Sequence, residues 1–558
     1  MQLKKRLIAL LLSLSMLLSL CGCGIYDVLF PDCTELAAES VFNSDVISRE
    51  NIVPFDDVEY IRPDIAALEA KSEEIELLLE SFLNAKEVVL GLNEYFVMYS
   101  NFYTMMTLAN IRHCIDTDDG FYLEENSFCN EAVADVDYYT DCLLLACSNS
   151  FLSDYLDEFY FNGLLSEQYS VTDGSGYTPS DELAELERKE AELENDYSVL
   201  YSKYSSDFDK GSYKKHNNEM GKIYVELIKV RNEIAKLRNE ASYCLLAYNI
   251  NGRDYSADEL SSYTEAIKKD IIPLYKEAAS RGLLDSSLLA KQTADKAFAL
   301  MTGAVRGLDT RIDEALDYML EYKLYNIESS DRKYDQSYVV YLDDYNSPFL
   351  FCNPTGYNDT VLSLAHEFGH YVDGYLNFGT NPSLDTSEMF SQGMEYLLLC
   401  NINDSDSADA LTHYKMLDVL MLYTFQAAFN EFEQRAYALA DDELSLDKLN
   451  SIFSEIVKEF GLDEQYGDEV YSYWIAIPHL FTSPFYVISY CVSDSAAFEL
   501  YNMEHEKKGS GLAMYMKLLD ESTHYDFLEL VDACGTRSPI SADTVREIAD
   551  TLSAKLGL

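Results

Sequence analysis

The stretch Val361-Leu362-Ser363-Leu364-Ala365-His366-Glu367-Phe368-Gly369-His370-Tyr371-Val372 decides how this chain is read. Apolar residues flank a polar pentapeptide, HEFGH at 366–370, and Asn358, Asp359 and Thr360 just before it are helix-capping types. The segment reads as a helix. Two histidines four residues apart project from one helical face, about a turn apart, and suit two ligands on a single Zn2+. Glu367 is rotated by about 100° from His366, so it can reach a water in an open coordination position without ligating the metal itself.

A hydrolytic zinc site needs a third protein ligand and one open position. The chain supplies candidates at 385–395, Asp-Thr-Ser-Glu-Met-Phe-Ser-Gln-Gly-Met-Glu. Asp385 or Ser387 is placed to cap a second helix running to Cys400. Glu388 and Glu395 are seven apart and share one face of it, with Ser391 or Gln392. Two acids on a helix rich in Met394, Leu397, Leu398 and Leu399 are costly to bury unpaired. Either they serve a metal or they form a solvated acidic stripe.

The first residues speak to compartment. Lys4, Lys5 and Arg6 precede a run from Leu7 to Leu20 that is apolar except for serines. It is short of the roughly 20 apolar residues a spanning helix needs, and it reads as a secretory signal over 1–22. Leu20-Cys21-Gly22-Cys23-Gly24 resembles a bacterial lipobox, with Cys23 the lipidated residue because small Gly22 precedes it. Residues 23–55 then read as a tether, and the protein is expected on the extracellular face of a bacterial cell membrane, lipid-anchored. Ordinary cleavage and secretion is the alternative.

The 558 residues carry 97 acidic against 41 basic side chains, a net charge of −56, a field that repels phosphate backbones and argues against nucleic-acid partners. Composition is globular, with 48% apolar residues. None of the 12 cysteines forms a CxxC pair, which leaves a zinc ribbon or thioredoxin-like site unsupported. They read mostly as buried apolar residues, with Cys142–Cys147 or Cys114–Cys129 as conceivable pairs.

Patterning is mainly helical. Leu68, Ile75, Leu78 and Phe82 recur at helical spacing. Leu183, Leu186, Leu193, Tyr197, Leu200 and Tyr204, interrupted by Glu190, form one heptad seam; Ile223, Leu227, Val230, Ile234, Leu237 and Ala241 form a second. Joined by a polar loop, they predict an antiparallel helical hairpin over 183–241. Further helices are expected near 408–439 and 543–556. The exception is SYVVYLDDYNSPFLF at 337–351, rich in β-branched and aromatic residues, which predicts two short strands with Asn346-Ser347-Pro348 as the break.

HEFGH followed by Glu-x-x-Ser-Gln-x-x-Glu resembles the M3 zinc peptidases, the thimet oligopeptidase and oligoendopeptidase F group. A third block, Tyr473-Trp474-Ile475-Ala476-Ile477-Pro478-His479 leading to Tyr486 and Tyr490, is similar to the Pro-His and alternating tyrosines of oligoendopeptidase F-like enzymes. The resemblance implies His366, His370 and Glu388 as ligands of one Zn2+ per chain and Glu367 as general base. It implies His479, Tyr486 and Tyr490 as oxyanion donors and Glu395 as a residue holding a ligand histidine. Asp373 stands where the family usually has a histidine and falls on the ligand face, a second candidate to orient one. Ile488 replaces the middle tyrosine, and the spacing after His479 is one residue longer. The implied fold is a two-lobed, mainly α zincin with a small β-sheet beside the HExxH helix and a deep substrate channel, an N-terminal lobe over 56–270 and a catalytic lobe over 271–558. The implied activity is hydrolysis of short peptides. An inactive peptide-binding lipoprotein and a zinc carboxypeptidase or dipeptidyl carboxypeptidase are the alternatives.

Overall fold

The computed structural model describes residues 33, 36, 37, 49, 51–168, 180–284, 290–380 and 382–558. The expected signal segment, Cys23 and most of the tether lie outside the described residues. The chain is mainly α with one small sheet, and its internal contacts divide it into two compact units.

The first unit comprises Ile61–Met106 and Phe128–Arg188, with the described residues before Ser48. Its core is built where helical periodicity puts apolar side chains on one face. Helix α1 (Ile65–Leu79) buries Leu68, Ile75 and Leu79. Helix α2 (Ala85–Ile115) adds Val88, Leu92, Tyr95 and Phe102, and α3 (Gly120–Ser148) adds Val136, Leu143 and Cys147.

The second unit comprises Arg49–Tyr60, Thr107–Ser127 and Lys189–Leu558, so residue 270 falls inside it. The segment read as a hairpin holds two helices, α4 (Asp181–Phe208) and α5 (Asn217–Leu237). The packed face of α5 is turned from the expected seam, however. It buries Met220, Tyr224, Leu227, Arg231 and Ile234, while Ile223 and Val230 are half-buried. The reason is ionic. Fully buried Arg231 donates to Glu190 (2.5 Å) and Glu194 (2.7 Å) of α4, and to the Tyr437 hydroxyl (2.9 Å) and the Phe481 carbonyl (2.5 Å). Glu190, the residue that breaks the heptad, is half of the link between the two helices.

The sheet has the order β1-β3-β2. Strand β1 (Tyr325–Asn326) runs parallel to β3 (Ser347–Cys352), and β2 (Ser337–Leu342) runs antiparallel to it, with Leu342 opposite Ser347. The expected break at 346–348 lies three residues too late. The turn is Asp343–Tyr345, and Asn346 closes it in the left-handed region (φ 47°), a conformation asparagine tolerates. Ser347 and Pro348 already belong to β3; Pro348 is tolerated because β1 pairs only with Leu350 and Phe351, so no ladder donor is missed.

The HEFGH helix, α7 (Thr360–Leu376), is capped by Asp359, whose carboxylate accepts from the Thr360 N–H. It packs against the sheet, against α6 (Ala294–Val305) and against α8 (Leu384–Leu399). Two glycines make this possible. The Tyr341 ring of β2 lies over Gly374, and a Cβ at Gly369 would meet the Phe390 carbonyl oxygen at 2.5 Å and Ser391 Cα at 2.6 Å. Helix α8 is in turn covered by α10 (Ser489–Glu506), and α9 (Ser405–Tyr437), the longest described helix of the unit, also packs against both. Helix α8 begins at a Ser383 cap, whose hydroxyl accepts from Thr386 N–H, rather than at Asp385 or Ser387. Asp385 is buried instead, accepting from the Tyr255 hydroxyl at 2.7 Å.

Neither conceivable pair, Cys142–Cys147 or Cys114–Cys129, forms a disulfide. No helix among the described residues is long and apolar enough to cross a membrane.

Gly369→Ala is expected to destabilise the fold by about 1–3 kcal/mol, the usual effect of overpacking, because rigid backbone rather than a side-chain tip must yield. Gly303→Ala, on an open face of α6, should stabilise by about 0.5–1 kcal/mol through helix propensity. Denaturant unfolding of both variants checks the contrast.

Candidate active site

The crossing of α7 and α8 at Gly369 sets the distance between their side chains. His366 and His370 lie on the α7 face turned toward α8, and Glu388 lies one turn into α8 facing back. Glu388 Oε2 is 3.3 Å from His366 Nε2 and 3.6 Å from His370 Nε2. Among the described residues, these three offer ligand atoms that all lie within 4.8 Å of one another. Two atoms bound tetrahedrally at about 2.0–2.1 Å from one zinc ion are roughly 3.3 Å apart, so the spacing and the His-His-Glu donor set fit the ion.

Each ligand is held from behind. His366 Nδ1 bonds Glu395 Oε1 at 2.9 Å, and buried Lys415 of α9 neutralises Glu395 at 2.8 Å. His370 Nδ1 bonds the Ser387 hydroxyl at 3.1 Å. Such partners turn both Nε2 atoms toward the same point. The Tyr486 hydroxyl donates to Glu388 Oε1, and Ser391 donates to Oε2 at 3.1 Å. Burial would raise the Glu388 pKa, yet the imidazoles of His370 and His366 override it and hold the carboxyl well below its usual range. Glu367 is different. It is nearly fully buried, and burial outweighs the two histidines, so its pKa is pushed up to about 7.

Asp373 does not hold a histidine. Its Oδ1 accepts from Asn377 at 2.9 Å at the C-terminal end of α7, and Ser387 takes the role at His370 because α8 passes nearer to that nitrogen. His479, Tyr486 and Tyr490 do come together: Tyr490 Oη lies 3.3 Å from His479 Nε2, and the Tyr486 ring is 5.1 Å from His479 and 5.3 Å from Tyr490.

The loop that delivers Tyr486 is clamped by buried charges. Phe485 has φ 61°, a strained value for a bulky residue. Its carbonyl accepts from Arg253 at 2.5 Å and its N–H donates to Glu433 at 2.7 Å; Arg253 also donates to Ser489 at 2.9 Å. Arg231 holds the Phe481 carbonyl at the start of the same loop. Gln392, from the motif on α8, donates to the Tyr490 carbonyl at 2.9 Å and fixes the other end. Lys415, Arg253 and Glu433 escaped the sequence reading. Each sits far along the chain from the residue it serves, and nothing in its neighbours marks it.

Comparison with known proteins agrees with this arrangement. The profile described as Peptidase M3 N-terminal domain matches residues 55–167, and that described as Peptidase family M3 matches residues 309–550, together more than half of the chain. This chain belongs to peptidase family M3, and it is a metallopeptidase. The search of curated proteins returned no match. Among solved structures, a protein assigned as an oligoendopeptidase F is similar at 24% identity with TM-score 0.77, over 90% of this chain and 99% of that one. PZ peptidase A, solved with an inhibitor, is similar at 22% identity with TM-score 0.77, over 90% and 99%. A protein assigned as an oligoendopeptidase F from Bacillus anthracis is similar at 22% identity with TM-score 0.73, over 91% and 99%. At these identities the likeness is one of fold.

Glu395→Gln removes the charge that His366 and Lys415 share. Zinc affinity is expected to fall about 10–100-fold, measured by competition with a chromogenic chelator.

Proposed function

We propose that the chain is a zinc-dependent oligopeptidase, with His366, His370 and Glu388 holding the ion. The observation that carries this is the convergence of both Nε2 atoms and one Glu388 oxygen at tetrahedral spacing, with buried Glu367 beside them. Family membership supports peptides as the substrate, and the oligoendopeptidase fold supports short ones.

Zinc, when bound in such a site, acidifies a water and polarises the scissile carbonyl. Glu367 takes the proton from the attacking water; its pKa near 7 suits it both to accept a proton and to pass it to the leaving amine. Tyr486 occupies Glu388 Oε1, which leaves Oε2 for the metal and makes this tyrosine a positioning residue. Tyr490 and His479 carry the remaining polar atoms on that side and supply the donor to the developing oxyanion. The clamped loop keeps them in place before substrate arrives.

Glu367→Gln keeps the shape and the ligands but cannot take the proton. Turnover of a quenched-fluorescence peptide should fall by 10²–10⁴-fold while zinc content by atomic absorption stays at one per chain. Near wild-type turnover in this variant would reject the mechanism.

The location forms part of the same reading: export by the signal at 1–22, lipidation at Cys23 and residence on the outer face of a bacterial plasma membrane. Support comes from the lipobox-like Leu20-Cys21-Gly22-Cys23. In a bacterial host, Cys23→Ser should move the protein from the membrane pellet to the soluble fraction after lysis. Unchanged sedimentation would reject the anchor.

A further inference from the structure

Helix α9 does more than supply Lys415. Asp418, Met421, Leu422, Phe425, Gln426 and Phe429 recur three and four apart on one stripe that begins one turn beyond Lys415. That stripe forms a wall of a cavity of about 530 Å³. Val470 and Tyr473 also line it, as do His479 and Tyr490, the two residues packed beside Tyr486, the tyrosine bonded to Glu388. The volume lies within the 300–1,000 Å³ range typical of ligand pockets.

The lining specifies a guest. Phe425 contacts Phe429, Tyr466 and Tyr473 with ring centroids 6.1, 5.7 and 5.9 Å apart, giving aromatic faces and edges for a further ring to pack on. Two lining residues are acidic, Asp418 and Glu469, and none is lysine or arginine. Gln426 Oε1 is buried without a hydrogen-bond partner, an acceptor left for a donor that a guest brings. From Asp418 to Phe429 the helix rises about 16 Å, the span of roughly five extended peptide residues.

We propose that this cavity receives a bulky aromatic side chain of the substrate, within about five residues of the scissile bond on the His479 side, and disfavours acidic residues there. This rests on the peptidase reading above and adds a substrate class to it.

The test uses the zinc-loaded full chain and decapeptides with one defined cleaved bond. A single tryptophan is moved through five positions on each side, with alanine and glutamate peptides in parallel. On one side only, kcat/KM should be at least tenfold higher for tryptophan than for alanine, and lower still for glutamate. Met421→Trp, which fills the cavity from the α9 wall, should reduce the tryptophan-to-alanine ratio below threefold, with zinc content and thermal midpoint checked against wild type. A wild-type ratio near one at every position overturns the proposal, as does a Met421→Trp enzyme that keeps the tenfold ratio. Binding of the same fluorescein-labelled peptides to Glu367→Gln separates the two readings. Tenfold tighter binding of tryptophan peptides without wild-type cleavage removes the peptidase reaction and keeps the cavity; cleavage with no aromatic preference in either assay does the reverse.

Discussion

Two helices share one metal ion only if their backbones approach closely enough for short side chains to meet. Here that approach is set at Gly369, where α7 lies on the Phe390 carbonyl and Ser391 Cα of α8 with no room for a methyl group. The constraint runs in both directions. The sheet presses α7 from the other side through Tyr341 over Gly374, and Gly393 lets the Tyr515 ring settle on α8. The imidazoles and the Glu388 carboxylate converge because the scaffold is packed to that spacing, and side-chain adjustment contributes little.

Burying so many charges has to be compensated. Around the His366, His370 and Glu388 cluster the compensation is a chain of pairs: Glu388 with two imidazoles and Tyr486, Glu395 with His366 and Lys415. Behind the tyrosine loop it is a second set, Arg231 with Glu190 and Glu194 and Arg253 with Asp385, and both arginines also reach the loop's backbone at the Phe481 and Phe485 carbonyls. This second set explains how a bulky residue at 485 is held in a left-handed conformation and why the extra residue after His479 does not carry Tyr486 away from Glu388.

What the sequence made legible follows from the range of the forces involved. HEFGH, the spacing of Glu388 and Glu395, and the β-branched and aromatic residues of 337–351 are local patterns, and each led to the right element. Misplacements came where distant partners decided. Asp385 was a plausible cap until Tyr255, 130 residues away, took its carboxylate. Asp373 sat at the right helical offset to steady a histidine, but α8 brought Ser387 closer. The seam of α5 rotated because an arginine, unremarkable in sequence, found four partners in three other segments. Lys415 and Glu433 belong to a long helix whose pattern announces burial without saying what is buried against it.

The free thiols bear on the surroundings this enzyme can tolerate. Most are enclosed, and burial pushes the pKa of Cys114, Cys147, Cys352 and Cys491 upward, which suppresses the thiolate that reacts with oxidants and attacks disulfides. Among the described residues no disulfide adds to cohesion, which comes from packing, hydrogen bonds and ion pairs.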